Sequence, residues 1–99
     1  MKKFLFLYYN KSEEMAGSMD AWKAWFGELG NKLVDGGNPL AGGAQAVSKD
    51  GVMDVKDMPA SGYSLVKADS MEEAVKIAKG CPVLQAPSGA VCVYETMPM

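Results

Sequence analysis

The sequence contains no histidine, and this absence removes several kinds of chemistry. Histidine is the usual general base near neutral pH, a common haem ligand and a ligand in most zinc sites. Asp50, Asp54 and Asp57 are too loosely spaced for a calcium loop, and the glycine pairs at 36–37 and 42–43 match no nucleotide-binding pattern. We therefore expect no metal, no cofactor and no histidine-based catalysis.

Cysteine is also scarce, and the chain has no net positive charge. Cys81 and Cys92 lie outside any Cys-x-x-Cys spacing, which favours reduced thiols in a cytoplasmic protein. A net charge of −2 at pH 7 gives no basic face, so we expect no nucleic-acid partner. No apolar run reaches the roughly 20 residues of a membrane span. The run Phe4–Leu7 ends too soon for a secretion signal, so we expect a strand there and no membrane contact.

The sequence does contain one strong helical pattern. The 99 residues are 48% hydrophobic, which suits a single domain over residues 1–99 with one modest core. Ser18 is a suitable N-cap, and Gly36 with Gly37 is a suitable stop. The spacing predicts one amphipathic helix over residues 18–37. Its apolar stripe consists of Met15, Met19, Trp22, Phe26, Leu29 and Leu33.

Three residues of this helix invite separate interpretation. Trp25 falls at the edge of the stripe, where it either flanks the core or belongs to a second contact surface. Gly27 and Gly30 each cost about 1 kcal/mol relative to alanine inside a helix. We expect them to allow close approach of a neighbouring backbone, and simple tolerance is the alternative.

The remaining elements follow from local signals. Residues 4–9 are apolar or aromatic throughout, as in a strand buried on both faces, and residues 63–68 and 91–96 predict two more strands. Asp50-Gly51 predicts a hairpin between strands at 44–48 and 52–55. Ser70 and Glu73 form a capping box that opens a second helix, and Gly80 ends it.

This order of elements predicts a ferredoxin-like α+β fold, βαββαβ. Right-handed crossovers place both helices on one face of a four-stranded antiparallel sheet. The other face then carries the apolar first strand together with Tyr63, Leu65, Val91 and Val93. An apolar sheet face of this kind is a partner surface, so we predict a homodimer with sheet facing sheet.

Several aromatic and polar residues are candidates for a small-molecule site. Polar groups beside apolar walls, at the mouth between helices and sheet, are typical of such sites. The set consists of Tyr8, Trp22, Trp25, Asp35, Asn38, Asp57, Tyr63 and Tyr94. We predict that the ligand-binding residues are Trp22, Trp25, Asn38, Asp57 and Tyr63. The alternative, that each is simply a core or surface residue, stays open.

The order and spacing of several segments resemble the YCII-related domain family. The matching segments are 3–8, 27–34, 37–40, 62–64, 68–74 and 80–82. The resemblance implies a small ferredoxin-like protein that forms dimeric α/β barrels. Many relatives carry Asp-Gly-Pro-Phe before the third strand, and the matching residues here are Asp57-Met58-Pro59-Ala60. Some carry a histidine on the first helix, where Trp22 stands here, so a His/Asp mechanism is not implied for this chain.

The sequence is compatible with three functions. The first is a small-molecule-binding homodimeric domain, in which Asp57 keeps a binding role. The second is a cofactor-independent enzyme, similar to monooxygenases or isomerases of this architecture, that uses aspartate, tyrosine and tryptophan in the barrel cleft. The third is a module whose only task is assembly, in which the aromatic residues fill the core.

Overall fold

A computed structural model describes residues 1–11, 17–41, 43–55 and 59–98. The predictions for Met15 and Asp57 lie outside these residues. Within them, the chain forms two α-helices and six strands. In chain order these are β1 (Lys2–Tyr9), α1 (Met19–Leu29), β2 (Leu33–Asp35), β3 (Gln45–Ser48), β4 (Gly51–Asp54), β5 (Gly62–Ala68), α2 (Met71–Ala78) and β6 (Ala90–Glu95), with short 3-10 helices at Gly30–Lys32 and Pro82–Gln85.

Strands β2, β5, β1 and β6 form, in that order, the main sheet, and every neighbouring pair is antiparallel. The connection through α1 passes over β5, and the connection through α2 passes over β1. Both helices pack against one face of the main sheet. This α+β arrangement is compatible with the predicted ferredoxin-like fold.

Helix α1 begins where predicted and ends earlier. Ser18 Oγ accepts a hydrogen bond from the Ala21 N–H at 3.1 Å, which confirms the N-cap. The helix stops at Gly30, whose φ of +55° and ψ of −126° lie outside the helical range and form a conformation that favours glycine. Leu33 then pairs with Val66 as part of β2. The prediction that the helix runs to Gly37 is therefore wrong, because tertiary pairing overrides the helical spacing of Leu33.

The predicted hairpin exists, but it is not part of the main sheet. Strands β3 and β4 pair only with each other among the described strands, and Val47 lies opposite Val52. All eight strand residues are exposed. The ladder continues at its open end, where the Val55 N–H donates to the Ala44 carbonyl at 2.9 Å. The second strand of the main sheet is instead the three-residue β2, which lies within the segment predicted to be helical.

The core lies between the main sheet and the helices. Phe4, Phe6 and Tyr8 alternate toward it along β1 and are each at most 4% exposed. Helix α1 contributes Trp25, 5% exposed, and Leu29. The other buried apolar residues of the cluster are Val66, Ala68, Ala74, Ala78, Cys81 and Val83.

Helix α1 is rotated relative to the predicted stripe. Trp25 and Leu29 are buried, whereas Trp22 and Phe26 are half-buried and Met19 is exposed. The stripe that faces the sheet thus centres on Trp25, and Trp22 and Phe26 face the edge of the core. Gly27 and Gly30 have open space where a Cβ would lie, so the predicted close approach to a backbone is wrong at both. Gly30 is instead required by its positive φ.

The opposite face of the main sheet is covered by neither helix, and we call it the free face. Strand β1 is buried on one side only, and its other side carries half-buried Leu5, Leu7 and Tyr9. Val91 and Val93 pair with Tyr8 and Phe6, so they face the helices, and their predicted place on the free face is wrong. By the pairing register, the free face carries Leu5, Leu7, Tyr9, Tyr63, Leu65, Cys92 and Tyr94, with Lys3 and Lys67 at one end.

Candidate functional site

A pocket of about 440 Å³ opens beside α1. It lies near the end of the main sheet where β1 finishes and β5 begins. Its walls are mostly apolar and aromatic, with a few amide and hydroxyl groups between them. The described lining residues are Tyr8, Asn10, Met19, Trp22, Phe26, Gly36, Gly37, Asn38, Pro39, Ser61, Gly62, Tyr63 and Val83.

Aromatic rings build one wall of this pocket. Trp22 and Phe26 stand one helical turn apart on α1, and their ring centroids are 5.8 Å apart. The edge of Trp22 meets Tyr8 with a centroid distance of 5.1 Å and an interplanar angle of 69°. Trp25 packs behind them, 5.9 Å from Trp22. Aromatic contacts of this kind stabilise the packing of the rings.

The segment Gly36–Pro39 builds the opposite wall and is tied to β5. The Gly37 N–H donates to Asp35 Oδ1 at 2.8 Å, which sets a tight turn directly after β2. Asn38 Nδ2 donates to Tyr63 Oη at 3.2 Å, and the Leu40 N–H donates to the Ser61 carbonyl at 2.9 Å. The wall is therefore formed before any ligand arrives.

Gly37 makes the contact between this wall and β5 possible. Its φ is +71°, a conformation that side chains rarely adopt. A Cβ at this position would overlap the Tyr63 carbonyl. The segment can approach β5 this closely only because the residue is glycine.

The Tyr8 hydroxyl is a buried polar group at the pocket wall. Tyr8 is 4% exposed, and its Oη has no hydrogen-bond partner among the described residues. Ser64 lies close enough to lower the pKa of Tyr8, but its hydroxyl donates to the Gly36 carbonyl at 2.7 Å. Burial has the larger effect and raises the pKa of Tyr8 well above its ordinary value. The phenol therefore keeps its proton at neutral pH.

Cys81 is also buried near this region, 3% exposed. Burial raises the pKa of its thiol from 9.0 to about 12, although a backbone hydrogen bond at Val83 acts in the opposite direction. Because the thiolate is the reactive form, this cysteine is a poor nucleophile at neutral pH. It packs as a small apolar residue in the core.

The structure brings together three of the five predicted ligand-binding residues. Trp22, Asn38 and Tyr63 line the pocket. Trp25 lies in the core behind Trp22 and is not a described lining residue, and Asp57 lies outside the described residues. Of the wider set, Tyr8 lines the pocket, Asp35 shapes its wall and Tyr94 is on the free face.

Some lining residues carry no signal of a site in the sequence. The helical spacing of Phe26 predicts only a core residue. Val83 comes from the 3-10 helix after Cys81, and its apolar side chain gave no signal. Gly37 predicts only the end of a helix. The sequence does indicate a second surface for Phe26 in one way, because the apolar stripe of the helix is wider than the core requires.

The other surface features of the described residues have fewer polar groups than the pocket beside α1. A second depression of about 320 Å³ lies between α2 and β6, and Lys79 is the one polar side chain in its described lining. No group of three His, Cys, Asp or Glu side chains in the described ranges is arranged to hold a metal ion. Neither described α-helix is long and apolar enough to cross a membrane.

Comparison with known proteins gave one result. The model of the YCII-related domain matches residues 1–99. No match was found among curated proteins or among solved structures.

Proposed function

The chain belongs to the YCII-related domain family, and we propose that it acts as a homodimeric domain that binds a small organic molecule in the pocket beside α1. Family membership supports the fold, while the pocket itself supports binding. The observation that carries this proposal is an aromatic-walled pocket of about 440 Å³ with polar groups placed between its walls.

The dimensions and chemistry of the pocket suit a small ligand. Known ligand sites enclose about 300–1,000 Å³ and combine apolar walls with a few fixed polar groups. Trp22 and Phe26 supply apolar wall here, and Asn38 and Tyr63 form a hydrogen-bonded polar pair. Because the ring contacts and the turn at Gly37 fix the walls in advance, little ordering is needed on binding.

The alternative is a cofactor-independent enzyme, and the described lining favours it less. Proton transfer at neutral pH needs a group whose pKa lies near 7. Tyr8 and Tyr63 are the titratable residues in the described lining, and burial raises the pKa of Tyr8 away from neutrality. This arrangement suits hydrogen bonding to a bound molecule better than acid–base catalysis.

Binding is tested by narrowing the pocket. Met19 stands at its rim, 75% exposed, so Met19→Trp is expected to reduce the volume with little effect on the fold. A ligand at 100 times its Kd adds about 2.7 kcal/mol to the free energy of unfolding. In a thermal-shift screen of uncharged metabolites, we expect hits with the unmodified chain that shrink or vanish with Met19→Trp.

Met53→Trp is the matched control for this screen. Met53 is 73% exposed on the hairpin, outside the described lining of the pocket, so this variant should keep every hit. Equal losses in both variants, or no hits at all with the unmodified chain, would count against binding in this pocket.

The homodimer is supported by the free face, which neither helix covers and which is mostly apolar. The apolar free face, with Leu5, Leu7 and Leu65 on adjacent strands, is the surface we propose to be covered by a second copy.

A charge placed on the free face tests the dimer. Leu7→Glu puts a carboxylate in the middle of this apolar surface, where two-fold symmetry would bring two such charges into the same interface. Light scattering measures the mass of the particle in solution. We expect twice the 10.6 kDa of one chain for the unmodified protein and the mass of a single chain for Leu7→Glu. Val75→Glu is the matched control. Val75 lies on α2, on the other side of the sheet, and is 40% exposed, so this variant should remain dimeric.

A monomeric mass for the unmodified chain would contradict the dimer. The same holds if Leu7→Glu and Val75→Glu have identical dimeric masses while both stay folded by circular dichroism.

A further inference from the structure

We propose that β6, the open edge of the main sheet, pairs with β6 of a second copy of the chain around a two-fold axis through Val93. This contact is separate from the free face and from the pocket beside α1, so it goes beyond the proposed function. It is carried by the outward backbone groups of β6, by the apolar depression beside them and by the charges at the two ends of the pairing.

The two edges of the main sheet differ in how well they resist pairing. Edge strands of natural proteins avoid pairing through short length, irregular register, lysine or proline. Strand β2 has three residues, its register shifts between Leu33 and Asp35, and Pro39 follows it. Strand β6 has six residues, pairs with β1 in an unbroken register and contains neither proline nor lysine. Of the two edges, β6 is therefore the one open to a further strand.

The hydrogen bonds to β1 show which backbone groups of β6 face outward. The Thr96 N–H donates to the Lys3 carbonyl at 2.9 Å, so every second residue counted back from Thr96 directs its backbone groups to β1. Val91, Val93 and Glu95 alternate with those residues, and each directs its N–H and its carbonyl away from the sheet. Within the described ranges, these outward groups form no backbone hydrogen bond.

The pattern of outward groups is symmetric about Val93. In an antiparallel pair with a second copy, Val93 lies opposite the partner's Val93, and Val91 lies opposite the partner's Glu95. Each outward N–H then meets an outward carbonyl, because both members of every pair belong to the unpaired set. A two-fold axis perpendicular to the sheet creates this register and uses the same patch on both copies. The strand that matches this edge is therefore its own copy.

The side chains beside this edge are apolar on the helix side of the sheet. Val91 and Val93 line the depression of about 320 Å³ between α2 and β6. The depression is also lined by Met71, Val75 and Leu84, which are exposed in a single chain. The two-fold axis brings the depressions of both copies side by side, so the pairing removes apolar side chains from water on each copy.

The charges at the two ends of the pairing are complementary. Lys79 borders the depression together with Val91, and the register places the partner's Glu95 opposite Val91. Glu95 lies on the helix side of β6, because it pairs with Phe4, so its carboxylate is on the same side of the sheet as Lys79. Glu95 Oε2 also lies 3.7 Å from Lys2 Nζ in its own chain, and a carboxylate can accept from both cations. The two-fold axis forms the contact with Lys79 twice.

This pairing is compatible with a dimer through the free face. The register places Cys92 beside the partner's Tyr94 on that face, so the free faces of the two copies join into one surface that stays open. A single strand pair is a small interface, and small interfaces associate weakly. At micromolar concentration we therefore expect only the dimer through the free face, and at higher concentration a tetramer with both contacts.

Sedimentation velocity between about 10 μM and about 1 mM protein covers the weak range of affinity. Over this range, the mass of the unmodified protein is expected to rise from two chains toward four. The mass of Leu7→Glu, which lacks the contact through the free face, is expected to rise from one chain toward two. This variant tests the pairing of β6 on its own.

An exchange of charges tests the register in the Leu7→Glu background. Lys79→Glu and Glu95→Lys each bring like charges together, and each is expected to weaken the association roughly 5-fold. The double variant with both changes restores opposite charges and should recover the original affinity. Lys76→Glu is the matched control, because Lys76 is exposed on α2 and lies outside the described lining of the depression. It should leave the association unchanged.

Val93→Pro tests the backbone pairing. Proline removes the central outward N–H, and β6 keeps its ladder with β1 because that N–H does not take part in it. In the Leu7→Glu background, we expect Val93→Pro to stay at the mass of one chain at every concentration while circular dichroism shows a folded chain. Val93→Ala retains the N–H and should still associate.

Several results would overturn the proposal. One is a mass of Leu7→Glu that stays at one chain over the whole range of concentration. Another is a double charge variant that associates no better than either single variant, because the edges would then not meet in this register. Association that survives Val93→Pro would likewise place the contact elsewhere. A monomeric mass of the unmodified protein at 10 μM, in contrast, would contradict the dimer of the proposed function and not the pairing of β6.

Discussion

Replacing Trp25 with alanine is expected to lower the free energy of unfolding by about 3–5 kcal/mol, the range for large aromatic residues in a core. Trp25 is 5% exposed and its ring packs near Phe6, Tyr8, Trp22 and Phe26. Small domains are stable by only about 5–15 kcal/mol in total. Urea unfolding followed by far-UV circular dichroism measures the change.

The neighbouring tryptophan provides the control for this prediction. Trp22 is only half-buried and lies on the pocket side, so Trp22→Ala should cost clearly less stability than Trp25→Ala and should weaken ligand binding more. Equal stability losses, or a Trp25→Ala variant as stable as the unmodified chain, would mean that α1 does not face the sheet in this rotation. Trp25 would then return as a candidate for direct ligand contact.

The second large effect is expected at Gly37. Gly37→Ala requires a left-handed conformation that costs about 1–2 kcal/mol for residues with a Cβ, and its methyl group would overlap the Tyr63 carbonyl. Displacing tightly packed groups costs a further 1–3 kcal/mol, approximately. We therefore expect a loss of about 2–5 kcal/mol by denaturant unfolding, together with weaker ligand binding, because the moved segment is a wall of the pocket.

Gly27→Ala is the matched control for this substitution. Gly27 lies within α1, and no atom lies within 4 Å of the place of its Cβ. Alanine there should raise stability by up to about 1 kcal/mol through helix propensity alone. If both variants changed stability in the same direction, the contact between residue 37 and β5 would not have the geometry described.

Local chemistry made much of the fold predictable. Ser18 and Ser70 both cap helices through their hydroxyls, and Asp50 lies in the turn between β3 and β4. Such signals depend on a few neighbouring residues, so one sequence carries them in full. The apolar run in β1 likewise predicted a strand, and the order of elements predicted the antiparallel sheet.

The errors came from features that depend on distant residues. Leu33 continues the helical spacing from Leu29, and only its pairing with Val66 makes it part of β2. Val91 and Val93 lie on the helix side because β6 pairs with β1 in one register, and a shift of one residue would place them on the free face. Neither register can be read from the residues of one strand.

The candidate site was predictable to the extent that its residue types were distinctive. Trp22, Asn38 and Tyr63 stood out as aromatic or polar residues near the expected mouth of the sandwich, and they do meet at the pocket. The rotation of α1 decides which tryptophan reaches the pocket, and that rotation depends on where the sheet lies beneath it. The burial of Tyr8 Oη likewise becomes visible only in three dimensions.

Among the described strands, β3 and β4 pair only with each other, and the bond between Ala44 and Val55 holds the two ends of this hairpin together. A ribbon whose ends already meet can be lengthened, shortened or exchanged without altering the span between the elements on either side. A change of length at this place is therefore expected to leave the main sheet and the pocket unchanged. The same property makes residues 45–54 the natural position for grafting an epitope or a fluorescent reporter into this chain.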